Sequence, residues 1–283
     1  LLLLHAWARL RQDLMRRSFN GATVVVSGAG GGLGRALAFR FARGGARIVA
    51  LDRDTGAVAA VEDELAQAGF DALACSCDVT DASACQAAIE ATLASFGRID
   101  VLVNNAGISH RSAFAATETA VLRRVVEVNL FGAINLTRPA LPALQQARGL
   151  IVAISSVAGF TPLIARTGYS ASKHALHGFF ESLRTELASD GVNVMMVCPS
   201  FIATGIEKNA LGPGGGAATH AQVVFGRRLQ PDDVADRVFR GAERSRRLLL
   251  IGRTARAAWW VSRLAPSLYE RIMARKLQGE MTP

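Results

Sequence analysis

The sequence predicts an α/β protein: a Rossmann-like, doubly wound parallel sheet of about seven strands in a single domain, followed by a helical C-terminal tail. Two observations support this prediction. Short runs rich in Val, Ile and Leu alternate with longer amphipathic stretches, which is the pattern of successive βαβ units. Several of the short runs are apolar throughout, as expected for strands that helices cover on both faces.

The predicted strands and helices alternate along the chain with short connections. Strands are expected at residues 23–27, 47–51, 72–77, 99–103, 150–154, 192–197 and 248–251. Helices are expected at residues 33–43, 55–68, 82–96, 120–146, 169–189 and 231–245. No internal repeat or linker interrupts this series, so residues 20–252 are predicted to form one domain. Residues 1–19 are expected to form an N-terminal helical extension.

Two segments lack this alternation. Residues 203–226 are rich in glycine and show no periodicity, which is typical of a long mobile connection that acts as a substrate lid. Residues 253–283 are predicted to form a basic amphipathic tail, helical as far as Leu277 and broken at Pro266.

The formal charge of +9 is unevenly distributed along the chain. Residues 227–276 carry 13 basic and 5 acidic side chains, so most of the excess lies near the C-terminus. No zinc-like spacing of Cys and His and no aromatic-rich RNA-binding motif accompanies this charge, so neither a metal site nor nucleic-acid binding is expected. For the tail with Trp259 and Trp260, we favour packing on a partner subunit over contact with an anionic membrane.

The N-terminal sequence predicts no membrane span. Leu1 to Leu4 form an apolar run far shorter than the about 20 residues that cross a bilayer. Arg9 and Arg11 follow this run, which is the reverse of the order in a signal peptide. A cytoplasmic protein is therefore expected, with membrane association as the alternative and with an anchor ahead of Leu1 left open.

A glycine-rich loop follows the first predicted strand and precedes the first predicted helix. It contains Gly28, Gly30, Gly32, Leu33 and Gly34. Glycines let the backbone turn tightly and approach a pyrophosphate, and a helix N-terminus supplies N–H donors for its charge. Because the loop lies between a strand and a helix, it predicts a dinucleotide-binding site.

Acidic residues at the ends of the second and third strands predict how the adenosine half of the dinucleotide binds. Asp52, 18 residues beyond Gly34, can accept hydrogen bonds from both ribose hydroxyls and repels a 2′-phosphate. Arg53 can instead pair with that phosphate. On balance we favour NAD over NADP. Asp78 and Val79 end the third strand, where the carboxylate can accept a hydrogen bond from the adenine amino group.

The fourth predicted strand leads into Asn104, Asn105, Ala106 and Gly107. This is the carboxyl edge of the sheet, where such folds bind ligands. Asparagine amides can contact a cofactor there or hold neighbouring strands together by hydrogen bonds. We expect Asn105, Ala106 and Gly107 to border the cofactor, and for Asn104 both roles stay open.

Tyr169 and Lys173 lie one turn apart on the same face of a predicted helix. A free tyrosine, with a pKa of about 10, is a poor proton donor and acceptor near neutrality. A nearby ammonium stabilises the phenolate and lowers the tyrosine pKa towards the useful range. The pair is common by chance, but Ser156 ends the fifth strand 13 residues before Tyr169 and can donate a hydrogen bond to a substrate oxygen.

Together these motifs resemble the short-chain dehydrogenase/reductase family, in its main branch with a Tyr-x-x-x-Lys active site. The glycine loop, the Asn-Asn-Ala-Gly element, Ser156, Tyr169 and Lys173 match that family in order and spacing, and Asn129 matches its fourth catalytic position. The resemblance covers residues 20–205 and the general layout to residue 251. Ser27 stands where threonine is usual.

The resemblance implies a role for each matched residue. Tyr169 exchanges a proton with the substrate oxygen while hydride moves to or from the nicotinamide. Lys173 lowers the pKa of the tyrosine and binds the nicotinamide ribose. Ser156 orients and polarises the carbonyl group, and its neighbour Ser155 fits the family spacing less well. Asn129 holds a water molecule in a proton relay.

The resemblance also implies further cofactor contacts and an assembly. Pro199, Ile202 and Thr204 match the segment that caps the nicotinamide amide, with Ser200 in place of the usual glycine. The long helices predicted at 120–146 and 169–189 match those that form a subunit interface. A homodimer or homotetramer is therefore expected.

The substrate is expected to be a lipophilic secondary alcohol or ketone, because the sequence around the Tyr-Lys helix resembles members that act on steroids, retinoids and other lipids. The apolar candidates for its pocket are Phe160, Leu163, Ile164, Phe201 and Ile206. Arg111 and Arg166 are candidates for binding an anion instead. The alternative function is a catalytically silent, cofactor-binding regulatory protein of the same fold.

Overall fold

The computed structural model describes residues 16–207, 209–219 and 226–277. In this part of the chain seven parallel strands form one sheet in the order β3–β2–β1–β4–β5–β6–β7. The strands are β1 (Thr23–Ser27), β2 (Arg47–Asp52), β3 (Ala72–Ser76), β4 (Val101–Asn104), β5 (Leu150–Ile154), β6 (Asn193–Pro199) and β7 (Leu248–Ile251). The predicted doubly wound α/β fold is confirmed.

Helices connect the strands and cover both faces of the sheet. They are α1 (Gly32–Ala42), α2 (Thr55–Gln67), α3 (Ala82–Phe96), α4 (Thr119–Val126), α5 (Gly132–Gln146), α6 (Thr167–Glu186), α7 (Pro231–Glu243), α8 (Arg253–Leu264) and α9 (Pro266–Lys276). The strand order reverses between β1 and β4, and folds of this kind bind ligands beyond the carboxyl ends of the strands at such a reversal.

The central strand β1 contributes to a hydrophobic core on each side of the sheet. Successive side chains of a strand point to opposite faces. Val24 and Val26 therefore join the core that contains Phe41 of α1, whereas Val25 joins the core that contains Phe180 of α6. All residues of β1 are buried, which explains why its three central residues are all valine instead of alternating with polar residues.

The helix predicted at residues 120–146 is not continuous. Helix α4 ends at Val126, a π-helical turn occupies Glu127–Phe131, and α5 begins at Gly132. A π turn adds a residue to the helical path and is frequent at functional sites. Because the interruption is a single turn inside an otherwise helical stretch, hydrophobic periodicity does not reveal it. The turn carries Asn129, whose side chain is buried.

The helical extension predicted at residues 1–19 stays a prediction over most of its length. Residues 1–15 lie outside the described residues, and residues 16–19 are not helical. Phe19 is buried, with its ring centroid 5.0 Å from that of Phe41 and 5.1 Å from that of Phe239. An apolar side chain that fills a gap between two core helices determines the path of the chain here.

The C-terminal tail forms α8 and α9, which separate at Pro266 as predicted. Trp259 of α8 packs edge-on against Phe160, with ring centroids 4.9 Å apart, and Tyr269 and Leu277 are buried. One face of the tail therefore packs on its own chain. Among the described residues, no helix has the length and apolar character needed to cross a membrane.

Part of the connection predicted at residues 203–226 has local structure. Gly205–Glu207 form a 3₁₀ turn, and Leu211 makes bridge contacts with His110 and Ala217. Residues 208 and 220–225 lie outside the described residues. The bridge to His110 ties this connection to the segment after β4, so its described part is anchored at the edge of the site.

Candidate active site

A cleft of about 830 Å³ opens along the carboxyl edge of the sheet. Most of the predicted site residues line it: Gly28, Gly30, Gly32, Leu33, Asp52, Arg53, Asp78, Val79, Asn105, Ala106, Gly107, Ser156, Tyr169, Lys173, Pro199, Ile202 and Thr204. Gly34 and Asn129 lie outside the lining and are both buried. Among the described residues, no group of three or more His, Cys, Asp and Glu side chains is placed to hold a metal ion.

The glycine loop passes so close to its neighbours that two of its positions exclude a side chain. Gly28 has a φ of 66°, and a Cβ there would lie 2.9 Å from the Cα of Ala106. A Cβ on Gly34 would overlap the carbonyl oxygen of Gly28 and lie 2.7 Å from Nδ2 of Asn105. Helix α1 therefore starts directly against the end of β1, and its N-terminal amides border the cleft.

Hydrogen bonds from two side chains join the glycine loop to the end of β4. The Ser27 hydroxyl accepts from the amides of Asn105 and Ala106, at 3.0 and 3.1 Å. Nδ2 of Asn105 donates to the carbonyl oxygens of Ser27 and Gly28, at 2.9 and 3.1 Å. Asn104 instead donates to Thr137 and does not line the cleft. Of the two roles left open for Asn104, contact with a cofactor or a bond to a neighbouring element, its bond to Thr137 supports the second.

The end of β2 places the Asp52 carboxylate against the glycine loop. Oδ2 accepts from the amide of Gly30 at 3.0 Å, and Oδ1 accepts from the amide of Asp54 at 3.1 Å. A Cβ on Gly30 would lie 3.0 Å from Oδ2, so the close approach depends on glycine. The neighbouring Arg53 is exposed and also lines the cleft. Both predicted determinants of cofactor choice thus border the same space.

The Asp78 carboxylate lies beyond the end of β3. Oδ1 accepts from the Thr80 amide at 2.9 Å and from its hydroxyl at 2.8 Å. Burial opposes its ionisation, but the bonds from Thr80, together with Arg124 and Arg53, hold the pKa of Asp78 below its usual value. The carboxylate is therefore a charged acceptor at neutral pH.

Ser156, Tyr169 and Lys173 come together at the end of β5. Helix α6 presents Tyr169 in its first turn and Lys173 one turn later, and both side chains line the cleft together with Ser156. Nζ of Lys173 lies 5.7 Å from the centroid of the Tyr169 ring and donates to the carbonyl oxygen of Ile154 at 2.8 Å. Two hydroxyls and one ammonium group thus share one part of the cleft.

Burial opposes ionisation of both members of the Tyr-Lys pair. It raises the pKa of Tyr169 above its usual value, and the neighbouring Ser156 hydroxyl and the Arg166 charge oppose this rise without cancelling it. It lowers the pKa of Lys173 from 10.5 to about 8. The sequence predicted a lowered tyrosine pKa. The structure reverses that direction because loss of hydration disfavours the phenolate more than the neighbouring groups favour it.

Asn129 supports the loop beneath the cleft with every polar atom of its side chain. Oδ1 accepts from the amide of Ile108 at 2.8 Å, while Nδ2 donates to the Ile108 carbonyl at 3.0 Å and to the Ser172 hydroxyl at 2.9 Å. These contacts connect the π turn, the loop after β4 and α6. The side chain therefore positions backbone around the site, and its predicted role in holding a water stays a prediction.

His110 is a site residue that the sequence did not indicate. It is fully buried, and its Nε2 accepts the amide of Gly168 at 2.9 Å, one residue before Tyr169. The first amides of a helix lack partners within the helix, and Arg166 provides no side-chain cap for α6. His110 therefore caps the helix that carries Tyr169. No local motif could reveal a contact across 58 residues.

Burial keeps the His110 imidazole neutral. Desolvation and the nearby Arg166 charge lower the pKa of His110 to about 4. A ring nitrogen can accept a hydrogen bond only when it carries no proton. The cap on α6 is therefore present over the ordinary pH range.

Apolar side chains form part of the lining of the cleft. Three of the five predicted apolar residues line it: Leu163, Phe201 and Ile206. The other two, Phe160 and Ile164, do not. The structure adds a wall from α8 and α9 that the sequence did not predict: Ala258, Val261, Tyr269, Ile272 and Met273. Arg111 and Arg166, the candidates for binding an anion, also line the cleft and are buried.

Comparison with known sequences identifies relatives over most of the chain. Residues 22–212 match the short chain dehydrogenase family. Dehydrogenase/reductase SDR family member 7B of Mus musculus is 35% identical, and the match covers 96% of this chain and 86% of the relative. An SDR family protein 7-like of Drosophila melanogaster is 32% identical, with 98% of this chain and 86% of the relative covered.

Solved structures agree with the sequence relatives. A short chain dehydrogenase/reductase from Burkholderia phymatum, in complex with NAD, superimposes with a TM-score of 0.80 at 28% identity, over 89% of this chain and 96% of that one. A metagenomic short-chain oxidoreductase in complex with NADP gives a TM-score of 0.68 at 32% identity, over 83% and 98% of the two chains. This chain belongs to the short-chain dehydrogenase/reductase family of oxidoreductases.

Proposed function

We propose that this protein transfers hydride between a nicotinamide dinucleotide and a lipophilic secondary alcohol or ketone, with Tyr169 as the proton donor and acceptor. One observation carries the proposal. The side chains of Tyr169, Ser156 and Lys173 line the same cleft as the glycine loop, and the Lys173 ammonium lies 5.7 Å from the Tyr169 ring.

The residues present fit a nicotinamide dinucleotide. At Gly28 and Gly34 a side chain would clash with neighbouring atoms, so glycine lets the backbone lie close to the ligand. Helix α1 begins at this loop, and its first amides can donate hydrogen bonds to a pyrophosphate. Asp52 can accept from the adenosine ribose, and Asp78 is ionised and faces the adenine end. Asn105, Ala106, Gly107, Pro199, Ile202 and Thr204 line the same cleft. The first three would border the middle of the bound dinucleotide, and the last three its nicotinamide.

We infer a preference for NAD over NADP from Asp52. Its carboxylate is held towards the glycine loop by the amides of Gly30 and Asp54, where it would face the 2′ position of the ribose. A carboxylate there repels a 2′-phosphate. Arg53 is the opposing feature, since its guanidinium can pair with phosphate. Comparing kcat/KM for NADH and NADPH tests the preference, and a strong preference for NADPH would contradict it.

The chain's own residues handle the proton and the substrate oxygen. When bound, the nicotinamide supplies a hydride to the substrate carbon or accepts one from it. In the direction of reduction, Tyr169 Oη donates a proton to the substrate oxygen, and in oxidation it takes that proton back. Ser156 Oγ donates a second hydrogen bond to the same oxygen. The positive charge of Lys173 stabilises the phenolate that forms when the proton leaves.

A lipophilic substrate is supported by the apolar wall of the cleft. Leu163, Phe201, Val261, Ile272 and Met273 line the space next to the reacting hydroxyls. Burying apolar substrate surface there supplies binding energy of about 25 cal/mol per Å². A screen of steroids, fatty alcohols and ketones, sugars and oxoacyl esters, followed by cofactor absorbance, distinguishes these classes.

Replacing the Tyr169 hydroxyl tests the proposed mechanism. The Tyr169→Phe variant should lose about a thousandfold in kcat, because the proton transfer loses its donor, while cofactor binding is retained. Tyr269→Phe is the matched control, since Tyr269 lines the same cleft and loses the same hydroxyl group. Its activity should stay near that of the wild type. Wild-type turnover in Tyr169→Phe would contradict the mechanism.

A catalytically silent, cofactor-binding protein is the alternative. The presence of both hydroxyls and the ammonium in one cleft argues against it, because a pure binding function has no use for a proton donor. Titration with NADH followed by the substrate screen separates the two functions. Tight cofactor binding without turnover of any class of alcohol or ketone would favour the silent protein.

A further inference from the structure

Helices α8 and α9 carry an exposed row of large apolar side chains, here called the apolar ridge. It consists of Trp260, Leu264, Leu268 and Ile272, which are 62%, 78%, 49% and 38% exposed. The four residues are spaced four apart, so each helix presents two of them on one side. The buried side chains of the same helices, Ala255, Ala258 and Tyr269, face the protein. The ridge is therefore the outer face of a packed pair of helices.

Basic side chains surround the apolar ridge. Residues 253–277 carry six of them, all exposed, and a single acidic one, Glu270. The basic residues are Arg253, Arg256, Arg263, Arg271, Arg275 and Lys276. An exposed apolar face with a cationic border is the pattern of helices that lie in the interface of an anionic bilayer. Tryptophan, present here as Trp260, is enriched at that interface.

The apolar ridge continues into the cleft. Ile272 belongs to the ridge and also lines the cleft, next to Met273 and Val261. Ile206, from the 3₁₀ turn Gly205–Glu207, lines the same cleft and is 37% exposed. The two isoleucines make the border of the cleft apolar where it reaches the surface. The ridge and the lining of the cleft therefore share Ile272.

We propose that the apolar ridge and its basic border dock this protein on a bilayer that contains anionic phospholipid, and that substrate passes between that bilayer and the cleft beside Ile272 and Ile206. The docking does not depend on the reaction. The passage of substrate rests on the proposed function.

Charge favours a bilayer over a second copy of this chain as the occupant of the ridge. Two copies joined through their ridges would bring six cations of one protomer against six of the other, with one acidic residue on each side. Like charges brought together at an interface oppose association. The surface of an anionic bilayer attracts the same cations, and its hydrocarbon receives the apolar side chains.

Flotation of the full chain with vesicles tests the docking. The vesicles contain phosphatidylcholine alone or mixed with phosphatidylserine. The double variant Trp260→Ser/Leu264→Ser removes half of the ridge and leaves the residues that line the cleft unchanged. Phe114→Ser is the matched control, because Phe114 is 66% exposed and lies outside the C-terminal helices.

The wild type and Phe114→Ser should float with the mixed vesicles and much less with phosphatidylcholine alone. The double variant should bind the mixed vesicles at least about tenfold more weakly, because binding scales with buried apolar area. Failure of the wild type to float, or equal flotation of the double variant, would overturn the docking. A ridge-dependent dimer in size-exclusion chromatography, without vesicle binding, would assign the ridge to a second copy and also overturn it.

Kinetics test the passage of substrate separately. For a ketone dissolved in the vesicles, the double variant should show a raised KM, while its kcat and KM for a water-soluble ketone should match the wild type. An unchanged KM for the vesicle-borne ketone would overturn the passage but not the docking. Absence of turnover with every ketone would count against the proposed function alone, since flotation does not require catalysis.

Discussion

The proposed chemistry needs a charged Lys173, whereas the stability of the fold favours a neutral one. Its side chain is 3% exposed, and burial lowers the pKa of its ammonium from 10.5 to about 8. Between about pH 8 and pH 10.5, Lys173 keeps its proton in the unfolded chain but has released it in the folded protein. Stability therefore rises with pH through this window, and the protonated form below pH 8 carries the full penalty of burial.

The size of this effect follows from the two pKa values. Their difference corresponds to about 3 kcal/mol of unfolding free energy, of which about 2 kcal/mol is expressed between about pH 7 and pH 9.5. The Lys173→Met variant keeps an unbranched side chain but cannot titrate. Relative to this variant, the wild type should therefore gain about 2 kcal/mol of stability over that range. Activity should be lost in the variant at every pH.

Urea denaturation at several pH values measures the difference. Subtracting the variant from the wild type cancels the titration of all groups that the two proteins share. Lys276→Met serves as the control for replacing a lysine by methionine, because Lys276 is exposed at the end of α9. A difference between wild type and Lys173→Met that stays constant from neutral to alkaline pH would refute the argument, since it would mean that the ammonium is hydrated in the folded protein.

Three further substitutions test the construction of the site. Gly34→Ala should abolish cofactor binding or folding, because the added Cβ would overlap the Gly28 carbonyl oxygen. Gly31→Ala should be tolerated, because no atom lies within 4 Å of the added Cβ. The shift in melting temperature on adding NADH measures both effects. Asp52→Asn should raise the ratio of kcat/KM for NADPH to that for NADH by about tenfold, and an unchanged ratio would remove Asp52 from cofactor choice. His110→Ala should cost about 2 kcal/mol in urea denaturation, as the Gly168 amide loses its acceptor, and should lower kcat more than cofactor affinity. Between pH 6.5 and about 4 the wild type should lose stability as pH falls, because the unfolded chain takes up a proton that His110 resists, and His110→Ala should lack this part of the loss.

The elements that could be predicted were those whose signal is local. The valines in the centre of β1 and the apolar run of β5 marked these two strands, and both strands are buried along their whole length. Gly28 and Gly34 could be recognised because a strand and a helix flank them within a few residues. The break at Pro266 between α8 and α9 follows from the fixed geometry of proline. In each case the determining interactions lie within about one turn or strand length of the residue itself.

The predictions that failed concern interactions between distant segments. The π turn at Asn129 is stabilised by bonds to Ile108 and Ser172, neither of which lies near it in the sequence. The raised pKa of Tyr169 follows from burial by several elements, while the sequence shows only the neighbouring lysine. A nearby charge can be read from a sequence, but the hydration that a group loses cannot.

By itself, the sequence determined the order of strands and helices, the glycine loop, and the fact that Tyr169 and Lys173 share one helical face. Backbone periodicity and the steric freedom of glycine act over a few residues, so both can be recognised in the sequence. Only the tertiary structure decided that Lys173 would be buried with a lowered pKa and that His110 would cap α6. It also decided that α8 and α9 would form one wall of the cleft. Burial and contact depend on what packs around a residue, and distant parts of the chain supply that packing.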